Sequence, residues 1–232
     1  MVDGIGRMAQ ESLRYMQRLD AVANNMANID TPGFKGRKIF SAADSATDAP
    51  MQDQIFIDYS QGPITETGNV LDCAINGEGF FAVETKEGIA YTRDGRFSIS
   101  SEGELMTQSG EFVMGGSGRI VVKGDKASIN DKGIVAVDGN QVDTLKIVLF
   151  EAPQKLLSKG AGLFYDVQGE AKPRDIENVE VKAGHLEGAN IQAVKEMIEM
   201  INIQRSFESY QKIIQTISEQ DKLSTGRIGR LE

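Results

Sequence analysis

The stretch IGRMAQESLRYMQRLDAVANNMANI, residues 5–29, sets Ile5, Met8, Ser12, Tyr15, Leu19, Val22, Met26 and Ile29 at alternating three- and four-residue steps. That spacing is the a/d stripe of a coiled-coil helix, and Ser12 is its only polar member. Near the other end of the chain, Met200, Ile203, Phe207, Tyr210, Ile214 and Ile217 repeat the same steps. A solitary helix of this length is marginal in water, so an apolar stripe on a terminal helix implies a partner. The simplest partners are the two ends for each other and the ends of neighbouring molecules. Candidate subunit-contact residues are therefore Ile5, Met8, Tyr15, Leu19, Val22 and Met26 at one end. At the other they are Met200, Ile203, Phe207, Tyr210, Ile214 and Ile217. This pattern suggests a building block and not a catalyst.

Working outward, Asp3 can cap the first helix, which stops around Asp30 because Pro32 disfavours helical geometry at Thr31 and Gly33 follows. Residues 41–61 read as a loose connector ending in the alternating Ile55-Phe56-Ile57-Asp58-Tyr59. From Gly62 to Gly188 lie nineteen of the 25 glycines, with turn signals such as Lys86-Glu87-Gly88, Asp94-Gly95, Asp131-Lys132-Gly133 and Asp138-Gly139-Asn140. Asp-Gly pairs favour tight hairpins because glycine tolerates positive φ. Between them run short β-prone segments, among them Gly79–Val83, Arg96–Ile99, Arg119–Val122 and Leu145–Phe150, with a last strand over Val179–Val181. Short strands at this spacing imply an antiparallel all-β domain, a barrel or a sandwich. The expected fold class is α+β: N- and C-terminal α-helices form a coiled-coil-like domain (residues 1–40 and 186–232) with an all-β domain (62–185) inserted.

The chain has 232 residues, 40% hydrophobic and 25% charged, with a net charge of −9. Residues 1–40 carry six Lys/Arg against four Asp/Glu, and residues 186–232 carry six against seven. The ends therefore sum to +1, leaving −10 on the middle, where an acidic surface suits a solvated outer face. No basic stripe exists for nucleic acid. Cys73 and His185 are the only residues of their types, which offers no disulfide and no thiolate metal site. Gly77-Glu78-Gly79 is a lone GxG, Gly115-Gly116-Ser117-Gly118 lacks nucleophile-elbow spacing, and Asp53 and Asp58 are scattered carboxylates. No catalytic, cofactor-binding or metal-binding set is expected, and no small-molecule substrate. No run of 18 apolar residues suggests a membrane span, and the first twenty residues lack a cleavable signal.

Three segments carry a family resemblance. Leu19 to Lys35, containing Asn24, Asn25, Asn28, Thr31, Pro32, Gly33 and Phe34, resembles the N-terminal signature of the bacterial flagellar axial proteins: rod, hook and hook-associated subunits. Asn76-Gly77-Glu78-Gly79-Phe80-Phe81-Ala82-Val83, followed by Tyr91 to Phe97, is similar to the family's central motif. Leu186-Glu187-Gly188-Ala189-Asn190, running into Met197 to Tyr210, is similar to its C-terminal one. The matches occur in the family's order. Within the family, Leu145–Val148, Gly162-Leu163-Phe164 and the short stretch between the first two motifs look more like a proximal-rod than a distal-rod subunit.

The resemblance implies a structural subunit of the basal-body rod, crossing the periplasm or cell envelope and transmitting torque from motor to hook. It implies copies of the chain and other rod and hook-family subunits as partners. It also implies passage through the flagellar type III export apparatus without a cleaved signal. The motif residues keep plainer readings too. The three asparagines can cap the helix or bond neighbouring helices, and Phe80 and Phe81 can simply pack a β core while Gly77 and Gly79 turn the chain. The rival from another class is an oligomeric surface-binding β module, which would need an exposed aromatic platform; the chain has no Trp.

Overall fold

The computed structural model describes residues 2–42, 52–124, 126–176 and 180–228. It is α+β, with an N-terminal helix, a C-terminal helix and a strand-rich middle. The chain divides into two compact units: Met1–Ala27, Arg37–Phe56 and Gln192–Glu232 in the first, Asn28–Gly36 and Ile57–Ile191 in the second.

In the first unit, helix α1 spans Val2–Ala27 and helix α2 spans Ala193–Ile228. Strands Arg37–Ala42 and Gln52–Ile57 pair as a two-stranded sheet; most of the connector between them lies outside the described residues. The stripes read from the sequence supply the seam between the helices. Val22 and Ile203 are buried, and Tyr15, Leu19, Met26, Met200, Phe207, Tyr210, Ile214 and Ile217 are half-buried. The helices run antiparallel: the Tyr15 and Tyr210 rings meet at 5.4 Å, while ten residues further along α1 Asn25 bonds Glu196 near the start of α2.

α1 ends three residues before the expected Asp30. Asn28 to Gly33 form turns instead, with Thr31 N–H donating to the Asn28 carbonyl at 3.0 Å and Gly33 at φ +69°. Pro32 excludes helical geometry at Thr31, and the positive φ at Gly33 redirects the chain.

The second unit is antiparallel β. Strand Phe80–Thr85 is its centre: it pairs with Gly88–Thr92 through a tight turn, and elsewhere with Phe112–Gly115 and Ile147–Phe150. The largest sheet has ten strands in an open order, ending at Leu157–Ser158 on one side and Phe97–Ile99 on the other, so it does not close into a ring. A three-stranded sheet joins Ala127–Ile129, Ile134–Val137 and Asn140–Thr144. Its second hairpin turns on Asp138 and Gly139, at φ 51° and 83°, the pair of positive φ values a two-residue type I′ turn requires.

Successive strand residues point to opposite faces, and here that alternation builds two cores. Phe81 and Val83 join Phe97, Leu105, Ile120 and Val135 on one face. Phe80 and Ala82 join Tyr91, Val148, Phe150 and Phe164 on the other. Phe81 meets Phe97 edge-on at 5.3 Å, while Phe80 meets Phe150 at 5.7 Å and Phe164 at 5.6 Å. The adjacent phenylalanines of the central motif thus anchor separate layers, the outcome expected of a central strand buried on both faces.

Two further ladders bring distant parts of the chain together. Cys73–Asn76 pairs with Glu180–Ala183, and Ile64–Glu66 pairs with His185–Glu187. Val179 of the expected last strand lies outside the described residues. The second ladder places Glu187 beside the segment that follows α1, where the three motifs converge.

Candidate functional site

Glu187 is 1% exposed, and its carboxylate is shared by two cations. Lys35 Nζ donates to Oε1 at 2.6 Å, Arg93 donates to Oε2 at 3.1 Å, and the Gly62 N–H donates to Oε1 at 2.9 Å. Lys35 also donates to the Ser60 carbonyl at 2.7 Å, and Arg93 to the Gly77 carbonyl at 2.6 Å. The Arg93 guanidinium lies 5.4 Å from the centre of the Phe80 ring. One residue from each motif thus contributes a charge: Lys35 ends the first, Arg93 lies in the Tyr91–Phe97 stretch of the second and Glu187 is the second residue of the third. Burial pushes the Lys35 ammonium below its ordinary pKa, against the opposing pull of Glu187, and burial likewise lowers Arg93.

The backbone is fitted just as closely. Gly33 N–H donates to the Glu187 carbonyl at 2.7 Å, and a Cβ at Gly33 would overlap the backbone of Arg93 and Asp94. Asn190 Oδ1 accepts from Gly36 N–H at 2.8 Å, while its amide donates to the carbonyls of Asp58 at 2.7 Å and Ser60 at 3.0 Å. Asp94 caps its own turn by accepting from Arg96 N–H at 3.1 Å and grips the Arg96 guanidinium at 2.7 Å. Gly77 and Gly79, at φ 109° and 134°, turn the chain so that the Gly77 carbonyl reaches Arg93. Thr31, Pro32 and Phe34 are half-buried within this clasp.

In the helical unit the equivalent junction is Asn25, 3% exposed. Its amide donates to the Arg37 carbonyl at 2.9 Å and to Glu196 Oε2 at 3.1 Å, and its Oδ1 accepts from Arg37 N–H at 2.8 Å. One asparagine therefore joins α1, the two-stranded sheet and α2 of the same chain. Asn28 receives the Thr31 hydroxyl at 3.4 Å, and Asn24 is half-buried on α1. Ile5 and Met8 lie on α1, with their side chains outside the described ones.

These arrangements hold segments together; they present no reacting group. Among the described residues no cluster of three His, Cys, Asp or Glu could hold a metal ion. Cys73 is fully buried with its thiol pushed up by burial, and His185 bonds the Ala183 carbonyl at 2.7 Å within its own turn. No described helix is long and apolar enough to cross a membrane. Lys35, Arg93, Glu187 and Asn190 lie within the motif segments, and no local pattern marks them as site residues. The available signal was a charged or amide residue at the edge of each motif, which identifies no partner by itself.

Three family models match consecutive parts of the chain. The flagella basal body rod protein model matches residues 5–35, the flagellar hook protein FlgE/F/G D1 domain matches 74–137, and the flagellar basal body rod FlgEFG protein C-terminal model matches 182–224. The flagellar basal-body rod protein FlgF of Caulobacter vibrioides is 32% identical over 241 residues, covering 98% of this chain and 97% of that protein. FlgF of Rhizobium meliloti is 32% identical over 90% of each, and FlgG of Bacillus subtilis is 31% identical over 88% of this chain and 91% of its own length. The clasp of Lys35, Arg93 and Glu187 joins the segments that these models describe separately, and the chain belongs to the flagellar basal-body rod protein family.

Proposed function

We propose that this chain is a structural subunit of the flagellar basal-body rod, positioned in its proximal part. The observation carrying this reading is the match of nearly the whole chain to FlgF proteins, at 98% and 96% of its length for two of them. The FlgG matches cover 85–88% of it, in keeping with the short stretch between its first two motifs. The work is mechanical: no step of it needs a reacting side chain, only surfaces that bind other subunits and a body that resists deformation.

In this reading the terminal helices make a coiled-coil-like core layer, with copies of the chain and other rod and hook-family subunits as partners. The acidic β unit forms a sandwich-like outer domain. The clasp around Glu187 lies wholly within the second unit and stiffens that unit against load. The protein resides in the basal body, crossing the periplasm, and reaches it through the type III export apparatus. The stripe residues from Tyr15 to Met26 and from Met200 to Ile217 serve assembly by joining α1 to α2 into the helical body that neighbouring subunits contact.

The test is incorporation. In a flagellated strain carrying only the variant gene, Ile203→Asp and Phe207→Asp should leave a folded β unit but remove the subunit from purified basal bodies and abolish motility. Normal motility with either variant would refute the reading.

A further inference from the structure

The seam between α1 and α2 occupies one face of each helix, and a second face of each remains uncovered. On α1, Leu13, Met16, Asp20, Ala23 and Ala27 again follow three- and four-residue steps, and all are exposed. On α2, Val194, Met197, Ile198 and Ile201 are 70, 50, 55 and 49% exposed at helical spacing, with exposed Arg205 one turn further on. A contiguous apolar face of this kind, ending in a charge, marks an interaction surface. From the rod-subunit reading, on which this inference rests, we infer that the outward face of α2 docks against the outward face of α1 in a second copy of this chain.

Two observations select that occupant. The faces differ where their heights match: α2 offers long apolar side chains and a cation, whereas α1, beyond Leu13 and Met16, offers an anion at Asp20 and short alanines at Ala23 and Ala27. A surface that is not self-complementary makes a heterologous contact, and repetition of such a contact extends an array without closing it. The heights also agree. The Tyr15–Tyr210 contact and the Asn25–Glu196 hydrogen bond fix the helices side by side, and Asp20 and Arg205 each lie between those two points. A copy laid alongside in the same direction brings Arg205 to Asp20 and sets the Val194–Ile201 face beside Ala23 and Ala27. The division of labour follows: the first stripe holds each chain's helices together, and the second holds chain to chain.

The test uses full-length protein and basal bodies from a strain whose own gene is replaced. Ile198→Asp and Ile201→Asp should match the unmodified protein in far-UV circular dichroism and urea midpoint, yet fall at least tenfold in basal-body content. Unchanged incorporation would overturn the inference, and so would lost helicity in the purified variants, because the face would then serve the chain's own fold. Asp20→Arg and Arg205→Asp should each lower incorporation, and combining them should restore it. A double variant no better than the singles would overturn the pairing. If the unmodified chain itself were missing from basal bodies, the rod reading would fail instead.

Discussion

Glu187 is a single anion facing two buried cations, and the balance of that site rests on it. Replacing one partner of a buried ion pair leaves an uncompensated charge, which costs about 3–5 kcal/mol. Glu187→Gln should therefore lower the unfolding free energy of the β unit by about that amount, read as a shift of its urea midpoint; a shift under ~1 kcal/mol would show the cations are otherwise satisfied. Lys35 supplies a pH signature. Its folded pKa is lowered below 10.5, so between the lowered value and 10.5 the unfolded chain binds more protons than the folded one. Stability from this group is complete above 10.5 and is lost as pH falls through the lowered value. The stability of the native protein relative to Lys35→Met should accordingly rise as pH climbs toward 10.5, in paired urea titrations. Gly33 is constrained twice, by its φ of +69° and by the Arg93–Asp94 backbone against it. Gly33→Ala should cost more than the ~1–2 kcal/mol of a left-handed residue alone, again by urea midpoint.

Among elements, the joint of the helical unit is Asn25, which satisfies both backbone groups of Arg37 as a neighbouring strand would. Asn25→Ala leaves that N–H and C=O without their partner, at roughly 1–3 kcal/mol. Amide exchange at Arg37 should accelerate about tenfold or more, while exchange within Phe80–Thr85 stays unchanged. The three asparagines of the first motif illustrate how far local reading extends. Capping and bonding to a neighbouring helix both suit an asparagine near a helix end. The structure shows Asn25 bonded to a strand and a helix of its own chain, 12 and 171 residues away. Phe80 and Phe81 were more legible, because alternation along a strand sends adjacent residues to opposite faces, and only the identity of each core awaited the strand order.

For the molecule as a whole, the division into two units has a thermodynamic consequence. Ile203 is buried in the helical unit, whereas both aromatic cores lie in the β unit. Ile203→Asp should reduce the helical signal at 222 nm while the near-ultraviolet dichroism of the β-unit aromatics persists to its native midpoint. Simultaneous loss of both signals would show that the two units unfold as one.

The sequence by itself determined the two helices, the apolar stripe on each, the all-β character of the middle and the family. Each of these is written in short-range periodicity, in glycine and proline positions, or in contiguous motifs. Tertiary structure decided what the motif residues bind. Lys35 and Glu187 are 152 residues apart and Arg93 and Glu187 are 94, and no spacing rule acts over such separations. Their meeting is set by the Ile64–Glu66 and His185–Glu187 ladder, whose register fixes where Glu187 lies. Tertiary structure likewise decided which helical face the chain uses for itself and which it leaves uncovered, because both faces carry apolar residues at helical spacing and only packing separates them.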